Sequence, residues 1–427
     1  MKYSIYNNYI AYKEGFLVFN ALAMKFLYLV PELMNMIIDN APEQIEIIYP
    51  ELYKVLEKCH FICNDDVNEL ESAINMIKRI NEDPTSYRLI VNPTTNCNFS
   101  CWYCYECHDK TNKMNNSTKD NICRYIKRIF ANKELEHFQL SFFGGEPLLY
   151  YSSIMLPIAE YARDCAIEFG KAYAMDITSN AFLFDYERFL HLKKLGLESC
   201  QITLDGDEEH HNSTRYPHKG IGSYATIIRN IHYAVNLNIK VVLRINYTKQ
   251  NLSSLYSILD DFKDMTLEER KLITLSMNKV WQEKDGNLAK QVNNFIRYSS
   301  DFGFTIPDAL ESDHVRNCCY ADKTNEAVIN YDGKVFKCNA RDFTDSRHEG
   351  FLNDDGIIVW NDLHDKRLKS RRPNNLCSKC SIFPICGGGC SQIALEKTGQ
   401  NYCVGKEGIE ETIIGMFQSK YCKRKGI

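Results

Sequence analysis

Six short runs rich in branched and aromatic residues mark the middle of the chain: RLIVN from Arg88, FQLSFF from Phe138, AYAMDIT from Ala172, CQITLD from Cys200, KVVLRIN from Lys240 and LITLSMN from Leu272. Amphipathic stretches such as Ser223–Leu237 separate them. A strand buried on both faces reads as a continuous apolar run, and parallel neighbours need a helical crossover, so this alternation predicts parallel βαβ units. Six in succession predict an α/β fold built as an incomplete β/α barrel rather than a flat doubly wound sheet, although periodicity does not separate the two. In such barrels the reactive side chains gather at the carboxyl ends of the strands.

The flanks have a different character. YIAYKEG and FLVFNALA, joined by a turn containing Gly15, predict a hairpin, and helical patterns follow in Pro50–Cys59 and Asp66–Ile80, the latter with Asp65 and Asp66 as caps. Asn81–Thr85 is predicted to be a linker. Beyond about Asp308 the strand–helix rhythm gives way to cysteines, glycines and turns. The expected organisation is therefore an α+β unit over 1–85, a barrel over 86–307 and a metal-stapled domain over 308–427.

At 427 residues with 44% apolar content the chain can bury real cores. A formal net charge of -4 argues against a nucleic-acid partner, which calls for a basic footprint. No basic start followed by an apolar stretch opens the chain, and Phe16–Val30, broken by Asn20 and Lys25, is too short to span a bilayer, so a cytoplasmic protein without membrane attachment is expected. Eighteen cysteines in that compartment point to metal ligation rather than disulfides. Eight of them fall between Cys318 and Cys403. Cys123, Cys165 and Cys200, among helix- or strand-like neighbours, are expected to be buried thiols.

Just after the first strand, IVNPTTNCNFSCWYCYE sets Cys97, Cys101 and Cys104 in a CX3CX2C spacing. Three thiolates can hold three irons of a [4Fe–4S] cube and leave the fourth open to a small chelating ligand. Zinc is the alternative, and it normally takes a fourth protein ligand, which Cys107 could supply. The spacing, with an aromatic, Tyr103, before the last cysteine, resembles the radical S-adenosylmethionine superfamily. That resemblance implies a partial (β/α)6 TIM-type barrel, S-adenosylmethionine as cofactor, and reductive cleavage of it to a 5′-deoxyadenosyl radical. Further matches support it: FFGGEP, with Gly144, Gly145 and Glu146, resembles the motif that receives the methionyl ammonium, and ITLDGDEEHHNSTR resembles the segment that would bring Thr203 and Arg215 to the cofactor. Ser179 and Asn180, at another strand end, are candidates near the ribose.

The C-terminal cysteines have their own order. Cys319 is followed by thirteen residues, Gly333, four residues and Cys338; then come Cys377-X2-Cys380-X5-Cys386-X3-Cys390 and, after a gap, Cys403. This resembles the SPASM domain, which implies two auxiliary [4Fe–4S] clusters, one on Cys377, Cys380, Cys386 and Cys403, the other on Cys319, Cys338 and Cys390. Cys318, adjacent to Cys319, either adds a strained ligand or leaves one iron open to a substrate thiolate. A pair of zinc knuckles is the competing account.

Enzymes combining these two domains commonly modify peptides, and residues 1–85 resemble the winged-helix element with which such maturases hold the leader of a precursor peptide by strand addition. The implied function is maturation of a ribosomally made precursor, with a thioether link from a cysteine sulfur to carbon as the first expectation and a flavodoxin or ferredoxin as electron donor. An anaerobic sulfatase-maturase-like or carbon–carbon crosslinking enzyme is the alternative; the position after Cys338, where sulfatase maturases carry an aspartate base, holds Asn339, with Asp342 nearby. A non-catalytic iron–sulfur carrier or zinc-stapled binding protein would need neither the GGEP nor the LDG…R segment. His210 and His211 lack a carboxylate at ligand spacing, the run Lys366–Arg372 reads as a solvated face, and Trp102 and Tyr105 are placed to shield a radical from water.

Overall fold

The computed structural model describes residues 1–218, 220–284, 288–307, 319–370, 374–397, 403 and 408–421. Cys318 lies outside them. The chain forms two compact units, one from 1–83, 308–324 and 365–427 and the other from 84–307 and 325–364.

In the first unit, β1 (Lys2–Tyr3) pairs with β5 (Ile62–Cys63), and β2 (Asn7–Tyr12), β3 (Gly15–Asn20) and β4 (Lys25–Leu29) form an antiparallel sheet in that order. The predicted hairpin is present, with Lys13 at φ 52° in its turn. Its apolar continuation is a third strand rather than one long segment, because Asn20 turns the chain: its side-chain Oδ1 accepts from the backbone of Leu22 and Ala23. Helices α1 (Pro31–Asp39), α2 (Pro42–Ile48), α3 (Pro50–Lys58) and α4 (Glu69–Asn81) follow. The first three each begin at proline, whose fixed φ and missing N–H suit the first helical position. The cap of α4 is Asn68, accepting from Glu71 N at 3.2 Å, and not the Asp65–Asp66 pair.

The second unit is built on one ten-stranded sheet. Its parallel strands β6 (Ser86–Val91), β7 (His137–Phe142), β8 (Ala172–Ser179), β9 (Leu197–Leu204), β10 (Lys240–Tyr247) and β11 (Ile273–Lys279) lie side by side in chain order, the order of an incomplete β/α barrel. β12 (Glu326–Ile329) adds a seventh parallel strand against β6, and β13 (Lys334–Phe336), β14 (Gly350–Leu352) and β15 (Ile358–Trp360) continue as an antiparallel meander. Helices α5 (Asn116–Phe130), α6 (Leu156–Phe169), α7 (Tyr186–Lys194), α8 (Glu208–Thr214) and α9 (Tyr224–Asn236) lie between the strands in sequence. Local chemistry sets their ends: Asn115, Asp185 and Asp207 cap α5, α7 and α8, and Gly170 closes α6 in the left-handed region. Leu89, Leu140, Ile202 and Leu243, one from each of four strands, are fully buried in the core. No helix among the described residues is long and apolar enough to cross a membrane.

Candidate active site

The strand order brings the first polar residues past each apolar run to one end of the sheet. There a cleft of about 980 Å³, counting the part open to solvent, is lined by Cys97, Cys101 and Cys104, by Gly144 and Gly145 after β7, by Ser179 and Asn180 at the end of β8, and by Thr203, Arg244, Asn246 and Lys279 from the next three strands. Arg215, Tyr103, Tyr105 and Glu106 complete it. All but one of the residues expected to meet S-adenosylmethionine therefore share one cavity wall; Glu146 is the exception.

The cysteine loop is held by its own backbone, Cys104 N to Cys101 O at 3.1 Å and Phe99 N to Cys97 Sγ at 3.4 Å. Asn180 Nδ2 lies 3.9 Å from Cys97 Sγ while donating to Asn98 Oδ1 at 2.7 Å, tying the end of β8 to the loop. Burial pushes the Cys97 thiol up to about 12, with the Glu146 charge adding to it, and burial raises Cys101 and Cys104 as well. Thiols so desolvated ionise when a cationic metal centre offsets the burial, which fits them as cluster ligands. Cys107 is exposed and does not line the cleft. Among the described residues no three His, Cys, Asp or Glu side chains form a group that could hold a single metal ion.

The glycine pair is required by packing against this loop. A Cβ on Gly145 would stand 2.2 Å from the Asn96 carbonyl oxygen and one on Gly144 2.5 Å from that of Thr94, and Gly144 has φ +114°. Gly145 N and Glu146 N donate to Thr94 O and Asn96 O, so the two loops are joined through their backbones. Glu146 is fully buried beneath: its carboxylate accepts from Leu148 N, Ser179 Oγ and Asn180 N, bracing the β7 loop to the end of β8. Burial pushes it up to about 7 against those hydrogen bonds.

A second buried group was not legible as a unit. Tyr103 Oη donates to Asp205 Oδ2 at 2.6 Å and accepts from Arg215 Nη1 at 2.9 Å and Asn246 Nδ2 at 3.0 Å; Arg244 Nε donates to Asn246 Oδ1 at 3.0 Å. Arg215 Nε and Asp205 Oδ1 are buried without hydrogen-bond partners. The Arg215 loop is fixed by His211, which accepts from Asp205 N at Nδ1 and donates from Nε2 to Ser223 Oγ, itself donating to Arg215 O. Burial, followed by the Arg215 charge, keeps His211 well below the usual imidazole range, so it is the neutral Nε2–H tautomer and a structural strut.

At the cleft mouth Tyr105 stacks on Trp281 with centroids 5.5 Å apart, Arg341 lies over Trp281, and Tyr105 Oη donates to Asn339 O at 2.9 Å. Trp102, expected as a shield, is 60% exposed and borders a smaller cavity beside Asp205 and His210. Glu106, which sequence reasoning passed over, lines the cleft with Oε2 buried and unpartnered.

In the first unit, Cys377, Cys380, Cys386 and Cys403 form one electrostatic group: after burial, the charges of Cys386, Cys380 and Cys403 raise Cys377, and those of Cys380 and Cys403 raise Cys386. Gly387, Gly388 and Gly389 all take positive φ, which turns the amides of Gly388 and Gly389 onto Cys386 and favours its thiolate. Cys390 is the residue immediately before the helix Ser391–Glu396. Cys338 follows β13 in the other unit, its Sγ accepting from Ala340 N at 3.4 Å, and Cys319 is exposed.

Residues 91–262 match the Radical SAM superfamily. The cysteine-type anaerobic sulfatase-maturating enzyme of Clostridium perfringens is 24% identical over 339 residues, 71% of this chain and 88% of that protein. The radical SAM cyclopropyl synthase TigE of Paramaledivibacter caminithermalis is 24% identical over 379 residues, 79% of this chain and 76% of its own. Among solved structures, Streptococcus suis SuiB bound to precursor peptide SuiA superposes with a TM-score of 0.53 at 16% identity, covering 95% of this chain and 99% of that one. Native anSMEcpe with bound AdoMet gives 0.58 at 18% identity over 79% and 97%. At these identities the structural likeness speaks to the fold alone.

Proposed function

We propose that this chain, a radical S-adenosylmethionine enzyme, matures a ribosomally made precursor peptide, most simply by joining a cysteine sulfur to carbon as a thioether. The observation that carries the reading is the shared wall of the cleft: three buried thiols, a glycine pair and Arg215 meet at the carboxyl ends of parallel strands. Cys97, Cys101 and Cys104 would hold a [4Fe–4S] cluster with one iron open. When bound, that cluster and S-adenosylmethionine supply a 5′-deoxyadenosyl radical. The unpartnered Arg215 Nε suits a carboxylate, while Thr203 and the Gly144–Gly145 carbonyls offer further polar contacts. Tyr105 and Trp281 keep water from the mouth.

An auxiliary cluster on Cys377, Cys380, Cys386 and Cys403 completes the proposal, and their mutual electrostatics support it. The sheet β2–β3–β4 with its helices suits a winged-helix leader site, and β4, paired on one side only among the described residues, offers main-chain groups for strand addition. SuiB bound to its precursor peptide SuiA is a parallel for a precursor peptide as the partner. The sulfatase-maturase reading is weaker on two observations: Asn339 cannot act as a base, and Asp342 is held by Arg347 Nε at 3.0 Å.

Anaerobic reconstitution followed by iron and sulfide analysis and reduction with S-adenosylmethionine tests the enzyme, with 5′-deoxyadenosine as the expected product. Co-expression with a neighbouring cysteine-containing precursor tests the substrate: the peptide should lose two hydrogens per crosslink, and an unchanged mass would reject the crosslinking assignment.

A further inference from the structure

The C-terminal cysteine segment shares its core with the N-terminal hairpin. Ile382, Phe383, Ile385, Ile413 and Met416 are buried in one apolar cluster with Tyr6, Ile10, Leu17 and Phe19, and Cys377 and Cys380 pack half-buried against it. Polar bonds pin the same surfaces together: Ser381 Oγ donates to Asn8 Oδ1 at 2.6 Å, and Asn8 Nδ2 donates to Ser381 O at 3.4 Å. At the centre Tyr6 is 1% exposed, and its hydroxyl has no hydrogen-bond partner. A buried O–H left unpaired is destabilising, so the position calls for an acceptor beside it. Cys377 and Cys380 pack against the same cluster that holds the Tyr6 ring, which brings the cysteine segment to this buried position.

We propose that the Tyr6 hydroxyl donates a hydrogen bond to the sulfur cage held by Cys377, Cys380, Cys386 and Cys403, so that iron loading at these cysteines locks the β2–β3 hairpin of the peptide-recognition element. The inference rests on the auxiliary cluster assigned above. Cluster sulfurs are good acceptors, and donors aimed at them stabilise the more negative, reduced state and raise its potential. Without iron the hydroxyl is orphaned and the thiols carry no common centre, so the shared core loses its polar anchor. Leader recognition and cluster assembly are then one event: a chain without this cluster presents a loosened recognition sheet.

Hydrogen exchange across residues 6–20, measured on the full chain before and after anaerobic reconstitution, tests this directly. Loading should slow exchange about tenfold, the change in opening equilibrium expected from one buried hydrogen bond. Tyr6→Phe should keep its full iron complement, lose that extra protection and lower the midpoint potential of this cluster read by electron paramagnetic resonance. Equal exchange with and without iron, or an unmoved potential in Tyr6→Phe, overturns the inference. A Cys377→Ala, Cys380→Ala double variant separates the two levels. If its iron content matches that of the unaltered chain, the cluster assignment itself fails and the inference with it; if one cluster is lost while the hairpin keeps its protection, the assignment stands and the coupling is wrong.

Discussion

Tyr103 shares one oxygen among three buried partners, which makes it the most informative single atom to remove. Tyr103→Phe keeps the ring but leaves Asp205 Oδ2 without its O–H donor and Arg215 Nη1 without its acceptor. Leaving buried polar groups unpaired costs about 1–3 kcal/mol. The variant should unfold at lower temperature and hold S-adenosylmethionine more weakly in equilibrium dialysis at matched iron content; an unchanged unfolding midpoint would show that the network does not bear on stability. This group also shows where reading by residue type stops. The spacing of Cys97, Cys101 and Cys104 is local and legible, and Tyr103 and Arg215 lie in recognisable segments. Asp205 and Asn246 are ordinary polar residues in sequence, and only the sheet order brings them to one hydroxyl. Glu146 illustrates the converse: its motif is legible, yet its buried carboxylate serves as a brace rather than facing the cleft.

At the level of elements, helix starts separate pattern from geometry. The sequence reading places the caps of α4 at Asp65 and Asp66, and the structure uses Asn68. Asn68→Ala should therefore cost about 1 kcal/mol in chemical denaturation, while Asp66→Ala should stay within about 0.5 kcal/mol of the parent; equal effects would contradict the assignment. The six parallel strands were legible because burial on both faces writes a continuous apolar run, and Ser223–Leu237 was read to its caps, Ser223 and Leu237 flanking the helix. β12 was not legible: four residues, Glu326–Ile329, are too few to carry a period, and their strand character comes from pairing with β6. The same holds for β4, where an apolar stretch hides a turn at Asn20 that its side chain creates.

At the scale of the whole molecule, what no local pattern announces is which distant segments share a core. Tyr6, Leu17 and Phe19 near the start of the chain meet Ile382, Phe383 and Met416 near its end, while the intervening sheet has a separate core. Five large apolar side chains, Ile382, Phe383, Ile385, Ile413 and Met416, depend on this arrangement for burial. At about 1.5–3 kcal/mol each their exposure costs on the order of 10 kcal/mol, comparable to the entire stability of an ordinary domain. A chain beginning at Pro84 is therefore expected to lose hydrogen-exchange protection throughout 377–397 and 408–421 and to bind a hydrophobic dye, while amides of β6 to β11 remain slow. The sheet has its own core, so the loss should leave β6 to β11 untouched. Retained protection in the C-terminal segment of the shortened chain would mean that the cysteine-rich region folds by itself, and that the shared core follows from its folding instead of making it possible.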